Sequence, residues 1–168
     1  MPVSNTSPLI HLVRLGKLVY LKRVFPSILI PPAVRFEAID AGKNEGYNDA
    51  IILERLESEG WLKTSQLLGK SKAMAAQLSD VIGRGEAEAI ALALERRERL
   101  FMDDLSGRRI AELYKIETTT TLGLLLELLA VKAVTLLDYL KNVKNYGSQG
   151  WISGDIIQTF IERGREFE

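Results

Sequence analysis

Cysteine is absent from this 168-residue chain, and histidine occurs once, at His11. The absence of cysteine excludes disulfides, thiolate metal sites and cysteine nucleophiles. A single histidine excludes a zinc site with two histidine ligands and leaves one candidate for a Ser-His-Asp triad. If the protein is an enzyme, its chemistry therefore depends on carboxylates, hydroxyls, amines or a bound metal.

The chain also lacks an excess of charge of one sign and a long apolar run. The 22 Lys and Arg residues balance the 22 Asp and Glu residues, so binding to a polyanion must depend on local basic side chains. The longest apolar stretch, 122–134, is short and carries Glu127 and Lys132, so it does not suit a membrane span. The opening residues lack the basic start and small-residue cleavage site of a signal peptide. We expect a cytoplasmic protein with no membrane contact.

Short apolar segments alternate with helical ones along the chain. Strands are predicted at 3–4, 27–30, 61–65, 100–102 and 117–120. Helices are predicted from a cap at Thr6 or Ser7 to Gly16, and then at 17–24, 31–41, 49–59, 70–81, 86–97, 106–114, 122–132, 135–145 and 153–163, with a loop at 42–48. The alternation predicts an α/β fold of three layers, α/β/α, around a central parallel sheet.

The length and the 46 % hydrophobic fraction suit one domain over 1–168. In this prediction 135–168 form a C-terminal helical extension that packs on the domain. Its aromatic residues are Tyr139, Tyr146, Trp151 and Phe160. Packing on the core is the preferred interpretation, and a dimer surface is the alternative.

Polar residues follow three of the predicted strands, where a parallel sheet binds its ligands. They are Asn5, the pair Asp103 and Asp104, and the pair Thr120 and Thr121. Oxygen ligands of this kind suit a hard cation such as Mg²⁺. The alternative is that one aspartate caps the next helix. Two adjacent like charges favour a site in which a cation or an arginine offsets them.

Three glutamates and the histidine lie on predicted helices. Glu37 lies beside the apolar stripe of its helix, and a solvated side chain is the alternative. Glu86 and Glu88 open a helix that is otherwise small and apolar, where a carboxylate needs a metal or an arginine as partner. Compensation of the helix dipole is the alternative for both. His11 is interpreted as a packed or capping residue.

Five segments, in this order over residues 2–135, resemble the PIN domain, and most closely a prokaryotic branch akin to the VapC toxins. They are VSNTSPLI at 3–10, IPPAVRFE at 30–37, GRGEAEAIALA at 83–93, Asp103-Asp104, and TLGLLL at 121–126. The resemblance implies an α/β/α nuclease that holds one or two Mg²⁺ or Mn²⁺ ions on carboxylates and cuts RNA. It also implies a small antitoxin protein that docks over the acidic pocket, and a homodimer.

Carried over position by position, the resemblance implies a set of site residues. The catalytic residues are Asn5, Glu37, Glu86 and Asp104, with Glu88 as the alternative register to Glu86. The metal ligands are Asn5, Glu86, Asp104 and Asp103, and the substrate-binding residues are Thr6, Ser7, Arg35, Arg108 and Thr121. Asn5 departs from the family, which carries aspartate there. An amide oxygen binds Mg²⁺ but brings no charge.

Three functions stay open from the sequence. The first is a metal-dependent endoribonuclease that acts as the toxin of a toxin–antitoxin pair. The second is a nuclease-inactive PIN-fold protein that binds RNA or a partner, and Asn5 motivates it. The third is an α/β protein unrelated to PIN, such as a phosphatase or a small-molecule binder. The third predicts that Glu37, Glu86 and Asp104 do not converge.

Overall fold

The computed structural model describes residues 1–149 and 152–167 and contains one parallel sheet. Its strands are β1 (Val3–Ser4), β2 (Ile28–Ile30), β3 (Leu62–Thr64), β4 (Leu100–Phe101) and β5 (Thr118–Thr119). Their order is β3-β2-β1-β4-β5, and every pairing is parallel. The predicted α/β fold with a central parallel sheet is confirmed.

Helices connect and cover the strands. They are α1 (Thr6–Arg14), α2 (Pro32–Arg35), α3 (Gly42–Asn44), α4 (Asn48–Ser58), α5 (Gly69–Leu78), α6 (Arg84–Arg96), α7 (Leu105–Leu113), α8 (Thr121–Ala130), α9 (Leu136–Gly147) and α10 (Gly154–Arg165). Within residues 1–149 and 152–167, none of them has both the length and the apolar character that crossing a membrane requires.

The two faces of the sheet carry separate hydrophobic cores. Ile28 and Ile30 join the larger core, whereas Leu29 between them joins the smaller one. Likewise Phe101 faces the larger core and Leu100 faces the smaller one. Since successive side chains of a strand point to opposite faces, this division shows that helices cover both sides of the sheet.

The chain departs from the predicted helices at two places. Residues Leu18–Arg23, predicted as α-helix, form a 3₁₀ helix, the tighter form that is common in short connectors. Residues Phe36–Ala41 form a π-helix between α2 and α3, and α3 continues into the predicted loop. A π-helical turn is wider than an α-helical one and is frequent at functional sites.

Helices α9 and α10 pack on the larger core. Tyr139 is 1 % exposed and its hydroxyl donates to the Phe160 carbonyl at 2.7 Å, so the two helices are joined by a hydrogen bond as well as by packing. Tyr146 is 4 % exposed in the same core. Trp151, predicted to pack with them, lies outside the described residues.

We expect Gly164→Ala to lower the free energy of unfolding by about 1–3 kcal/mol, because overpacking a core costs this much. A Cβ at Gly164 would lie 2.7 Å from Cδ1 of Tyr139, whose ring is buried and held by its hydroxyl. Gly154→Ala is the matched control in the same helix, since a Cβ there meets nothing within 4 Å. Urea unfolding measures both, and equal stability of the two variants would contradict the packing of α10 described above.

Candidate active site

The carboxyl ends of β1, β4 and β5 lead directly into the first turns of α1, α7 and α8. Asn5, Asp104 and Thr120 are the residues that precede these helices. The backbone N–H of Asn5 donates to the Phe101 carbonyl at 3.0 Å, which holds the ends of β1 and β4 together. Helix N-termini carry partial positive charge, so this edge of the sheet favours negative groups.

Glu37 lies on the π-helix and reaches this edge. Its Oε2 accepts a hydrogen bond from the Thr6 hydroxyl at 2.7 Å, so the predicted capping residue Thr6 instead positions a carboxylate. The carboxylate also lies against the bare Cα of Gly85. A Cβ at Gly85 would lie 2.6 and 2.7 Å from the two Glu37 oxygens, so any larger residue there would displace Glu37.

Glu86 begins α6 beside these groups. Its Oε2 accepts a hydrogen bond from the backbone N–H of Gly83 at 3.2 Å. Burial raises the pKa of Glu86, and the negative charges of Asp104 and then Glu37 raise it further, against the opposing effect of the Gly83 hydrogen bond. Glu86 also follows Gly85, the residue against which the Glu37 carboxylate lies, so Glu37 and Glu86 are neighbours at this edge.

Asp104 caps α7, as one interpretation of the sequence predicted. Its Oδ2 accepts from the Gly107 backbone N–H at 2.7 Å. In the described part of the chain, no lysine or arginine forms a salt bridge with Glu37, Glu86 or Asp104. Within these residues the three carboxylates therefore lie at this edge without an ion pair to a basic side chain.

Asn5 is buried at the end of β1, with 3 % of its surface exposed. It occupies the position before α1 from which a side chain normally bonds the first turn of the helix. Its amide makes no such bond. Buried polar groups are nearly always hydrogen-bonded, so an amide without its usual partner is available to a ligand.

Asp103 is held in the framework of this edge. Its two oxygens accept from the backbone N–H and the hydroxyl of Thr121, both at 2.7 Å, and Oδ2 also bonds to Nδ1 of His11 at 2.9 Å. Tyr146 packs edge-on against the His11 ring, with the centroids 5.1 Å apart. Asp103 and Thr121, predicted as a metal ligand and a substrate contact, thus hold α1, α7 and α8 together.

Glu88, the alternative register to Glu86, has a structural role. It is 9 % exposed, accepts from the Ala33 backbone N–H at 2.8 Å and pairs with Arg84 at 3.0 Å. It thereby accepts a backbone N–H group from the first turn of α2. Arg35, predicted to bind substrate, is held by ion pairs with Glu57 and Asp40 instead.

Arg108 and Ser7 are the remaining predicted substrate contacts. Arg108 follows Asp104 by one turn of α7, and its Nε is buried with no hydrogen-bond partner. Burial of the phenol raises the pKa of Tyr146, and the positive charge of Arg108 partly opposes that rise. Arg108 is thus one of the charged groups around Tyr146. Ser7 lies in the first turn of α1, next to Thr6.

The donor set fits a hard divalent cation. The available groups are carboxylate and amide oxygens, which Mg²⁺ and Mn²⁺ prefer. Among residues 1–149 and 152–167, no group of three or more acidic or histidine side chains is placed to hold a metal ion. Mg²⁺ nevertheless binds commonly through one or two carboxylates and several waters. Glu86 and Asp104 are two carboxylates at this edge, and the negative charge of Asp104 is, after burial, a cause of the raised pKa of Glu86.

The larger of the two cavities described lies at the opposite edge of the sheet. It measures about 290 Å³ and is lined by Arg97, Arg99 and Lys115 among others, near the starts of β4 and β5. Basic residues at the ends of α6 and α7 offset the negative ends of the helix dipoles there. This cavity contains none of the carboxylates of the candidate site.

A family model described as DUF3368, PIN domain, matches residues 1–166, which is nearly the whole chain. The chain belongs to the PIN domain family. This PIN domain therefore has a fold that is typical of nucleases, in a family whose members usually depend on a metal. No curated protein is similar enough to it to count as a match.

Two residues of the site gave little signal in the sequence. Gly85 has no role of its own in the prediction from sequence, whereas its contact with Glu37 explains why glycine stands there. Tyr146 was assigned to the core without a role at the site. A residue 60 positions beyond Glu86 reaches the same edge only because α9 folds back on the sheet, which no local pattern encodes.

The raised pKa of Glu86 predicts a pH-dependent effect of Glu86→Gln. The folded protein keeps the Glu86 proton to a higher pH than the unfolded chain does. The stability from this group is therefore fully present below the ordinary value of 4.5 and is lost as the pH rises through the raised pKa. We expect Glu86→Gln to increase the free energy of unfolding at pH 7 and to leave it unchanged at pH 4.

Urea unfolding at the two pH values measures this effect. Glu88→Ala is the control, because it removes two hydrogen bonds from a buried carboxylate and should destabilise the protein by about 1–3 kcal/mol at pH 7. A loss of stability in Glu86→Gln at pH 7 would show that Glu86 is satisfied by the protein alone.

Proposed function

We propose that this PIN domain is a metal-dependent endoribonuclease that acts as the toxin of a toxin–antitoxin pair. One observation carries the proposal. Glu37, Glu86 and Asp104 come from distant parts of the sequence and lie at the carboxyl edge of the sheet, and none of them forms an ion pair within the described residues. Like charges gathered in this way destabilise the fold, and a divalent cation would remove that cost. Membership of a family with a nuclease fold supports the same conclusion.

In this proposal Glu86 and Asp104 hold Mg²⁺ or Mn²⁺, and the amide oxygen of Asn5 completes the protein ligands. When bound, the ion supplies charge neutralisation at the scissile phosphate and a water of lowered pKa. Asp104 keeps one oxygen free of the α7 cap, because only Oδ2 bonds to Gly107. Glu86 is half-buried, so its charge acts in a medium that screens it less than water does.

Glu37 is the proposed proton acceptor. It is exposed to solvent, and its carboxylate is oriented by the Thr6 hydroxyl and by the surface of Gly85. A carboxylate held in this way can take the proton of the attacking water as the bond to phosphorus forms and the bond from phosphorus to the leaving ribose oxygen breaks. The Thr6 bond occupies Oε2 and leaves Oε1 for that proton.

Arg108 is the proposed contact for an RNA phosphate. It forms no salt bridge within the described ranges, and its Nε is buried without a partner one turn from Asp104. A guanidinium recognises a phosphate through paired N–H groups. Because the whole chain has no excess positive charge, one local arginine of this kind accounts for binding better than bulk charge does.

The antitoxin and the homodimer belong to the same proposal. Uncompensated carboxylates at one edge are the surface that a basic segment of a small antitoxin would neutralise. Such a segment would occupy the place of the metal and inhibit the nuclease. The homodimer is supported by the family resemblance alone.

We expect Glu86→Gln and Asp104→Asn to reduce Mn²⁺-stimulated RNA cleavage by about 100-fold or more. Loss of a group that only supports a metal ligand costs 10- to 100-fold, and these residues are the proposed ligands themselves. Cleavage of a labelled single-stranded RNA measures the effect. Glu112→Gln is the control, an exposed glutamate on α7. Equal cleavage by wild type and all three variants would refute the nuclease.

Asn5→Asp tests the departure from the family. An added carboxylate beside Glu86 and Asp104 should tighten Mn²⁺ binding at least about tenfold, and like-charge repulsion should lower the stability of the metal-free protein. Calorimetric titration and urea unfolding measure the two effects. Millimolar Mn²⁺ that binds Asn5→Asp but not the wild type would favour the alternative function, a nuclease-inactive protein that binds RNA or a partner.

A further inference from the structure

A groove leaves the carboxylate edge between α1 and the π-helix. Thr6, Ile10 and Arg14 are spaced four residues apart and so share one face of α1. Thr6 contacts Glu37 at the start of the groove, and Ile10 and Arg14 line a cavity of about 100 Å³ further along. Glu37 lines the same cavity, so the cavity and the proposed active site share one carboxylate.

The far end of the cavity carries an aromatic ring and polar groups. Tyr47 is 51 % exposed and lines the cavity together with Glu45 and Asp49. Gly42 lies beneath this end, where a Cβ would come within 3.0 Å of the Ala50 Cβ and 4.0 Å of Cδ2 of Tyr47. The absence of a side chain at Gly42 therefore allows the Tyr47 ring and α4 to pack closely at the cavity.

The polar groups form a fixed pattern of donors and acceptors. Arg14 donates through Nε to Oδ2 of Asp49 at 2.9 Å, which orients both side chains and leaves the terminal guanidinium nitrogens and Oδ1 without that bond. The Glu45 carboxylate beside the phenol raises the pKa of Tyr47, so its hydroxyl stays protonated. Small apolar side chains, Ala38, Ala41 and Ala50, form the rest of the wall.

The size and shape of the cavity suit one small planar group. Pockets for drug-sized ligands measure about 300–1,000 Å³, several times the volume here. Unpaired RNA bases are recognised in proteins by stacking on an aromatic side chain and by hydrogen bonds to the base edges. The Tyr47 ring supplies the first element, and Arg14, Glu45 and Asp49 supply the second.

We propose that this cavity binds one unpaired guanine base of the RNA strand that is cut at the neighbouring carboxylates. The proposal rests on the proposed ribonuclease function and adds a base preference to it. Guanine carries acceptors, N7 and O6, that an arginine recognises, and N–H donors that a carboxylate accepts. Arg14 and Asp49 present these two partners side by side. Uracil presents O4 and N3–H to the same partners but lacks N7 and the exocyclic amino group of guanine, so it makes fewer of these hydrogen bonds.

A cationic side chain of a protein partner is the other occupant that an acidic cavity admits. The base is favoured because Arg14 already supplies a cation within the cavity and is paired with Asp49. A guanidinium from a partner would be repelled by the guanidinium of Arg14. The continuity with Glu37 also places the cavity on the path of a strand that reaches the active site.

The test measures binding of the whole protein to two labelled pentamers, UUGUU and UUUUU, by fluorescence anisotropy in EDTA. Chelation prevents cleavage, so base preference is measured separately from nuclease activity. We expect the wild type to bind the guanine-containing pentamer about tenfold or more tightly, a ratio that one bidentate hydrogen-bonded pair supplies. Tyr47→Phe should keep the affinity for both pentamers because the ring remains, whereas Tyr47→Ala should weaken the binding of both, since stacking does not distinguish the bases.

Tyr114→Ala is the matched control, because Tyr114 is a similarly exposed tyrosine, at 42 %, at the opposite edge of the sheet. Equal binding of the two pentamers by the wild type would overturn the proposal, as would equal losses in Tyr47→Ala and Tyr114→Ala. Displacement of UUGUU by an arginine tripeptide more readily than by guanosine monophosphate would also overturn it. A base preference without cleavage in Mn²⁺ would leave the cavity assigned and refute the nuclease.

Discussion

The carboxylate of Asp103 is the interaction on which the edge of this sheet depends. It accepts hydrogen bonds from the backbone and side chain of Thr121 and from His11, and so joins the end of β4 to the start of α8 and to the last turn of α1. The adjacent Asp104 is left with the single bond of a helix cap. The two neighbouring aspartates therefore differ in role: Asp103 fixes the helices, whereas one carboxylate oxygen of Asp104 lies outside the helix cap.

A second division of roles separates Glu86 from Glu88. Both lie near the start of α6, two residues apart, and that spacing directs them to nearly opposite faces of the helix. Glu88 is matched by a backbone donor and an arginine, whereas Glu86 meets other negative charges. Burial and these charges raise the pKa of Glu86. The two carboxylates of this helix therefore differ in their partners rather than in their residue type.

Much of this architecture follows from local sequence. Alternating apolar strands and helices predicted the parallel sheet, and the residues that follow the strands predicted where its polar edge lies. Three features were not predictable, because each joins residues that are distant in sequence. They are the bonds of Asp103, the ion pair between Arg35 and Glu57, and the cavity at Tyr47. The π-helix was missed for another reason, since its apolar spacing over six residues also suits an α-helix.

The contact between Tyr146 and His11 has a consequence for the order in which the molecule is made. All the acidic residues of the site are synthesised before α9, yet the aromatic ring that braces the His11–Asp103 pair arrives only with that helix. A growing polypeptide on the ribosome thus carries the acidic groups well before their support is in place. The His11–Asp103 pair is in this way braced only after residue 146 has emerged.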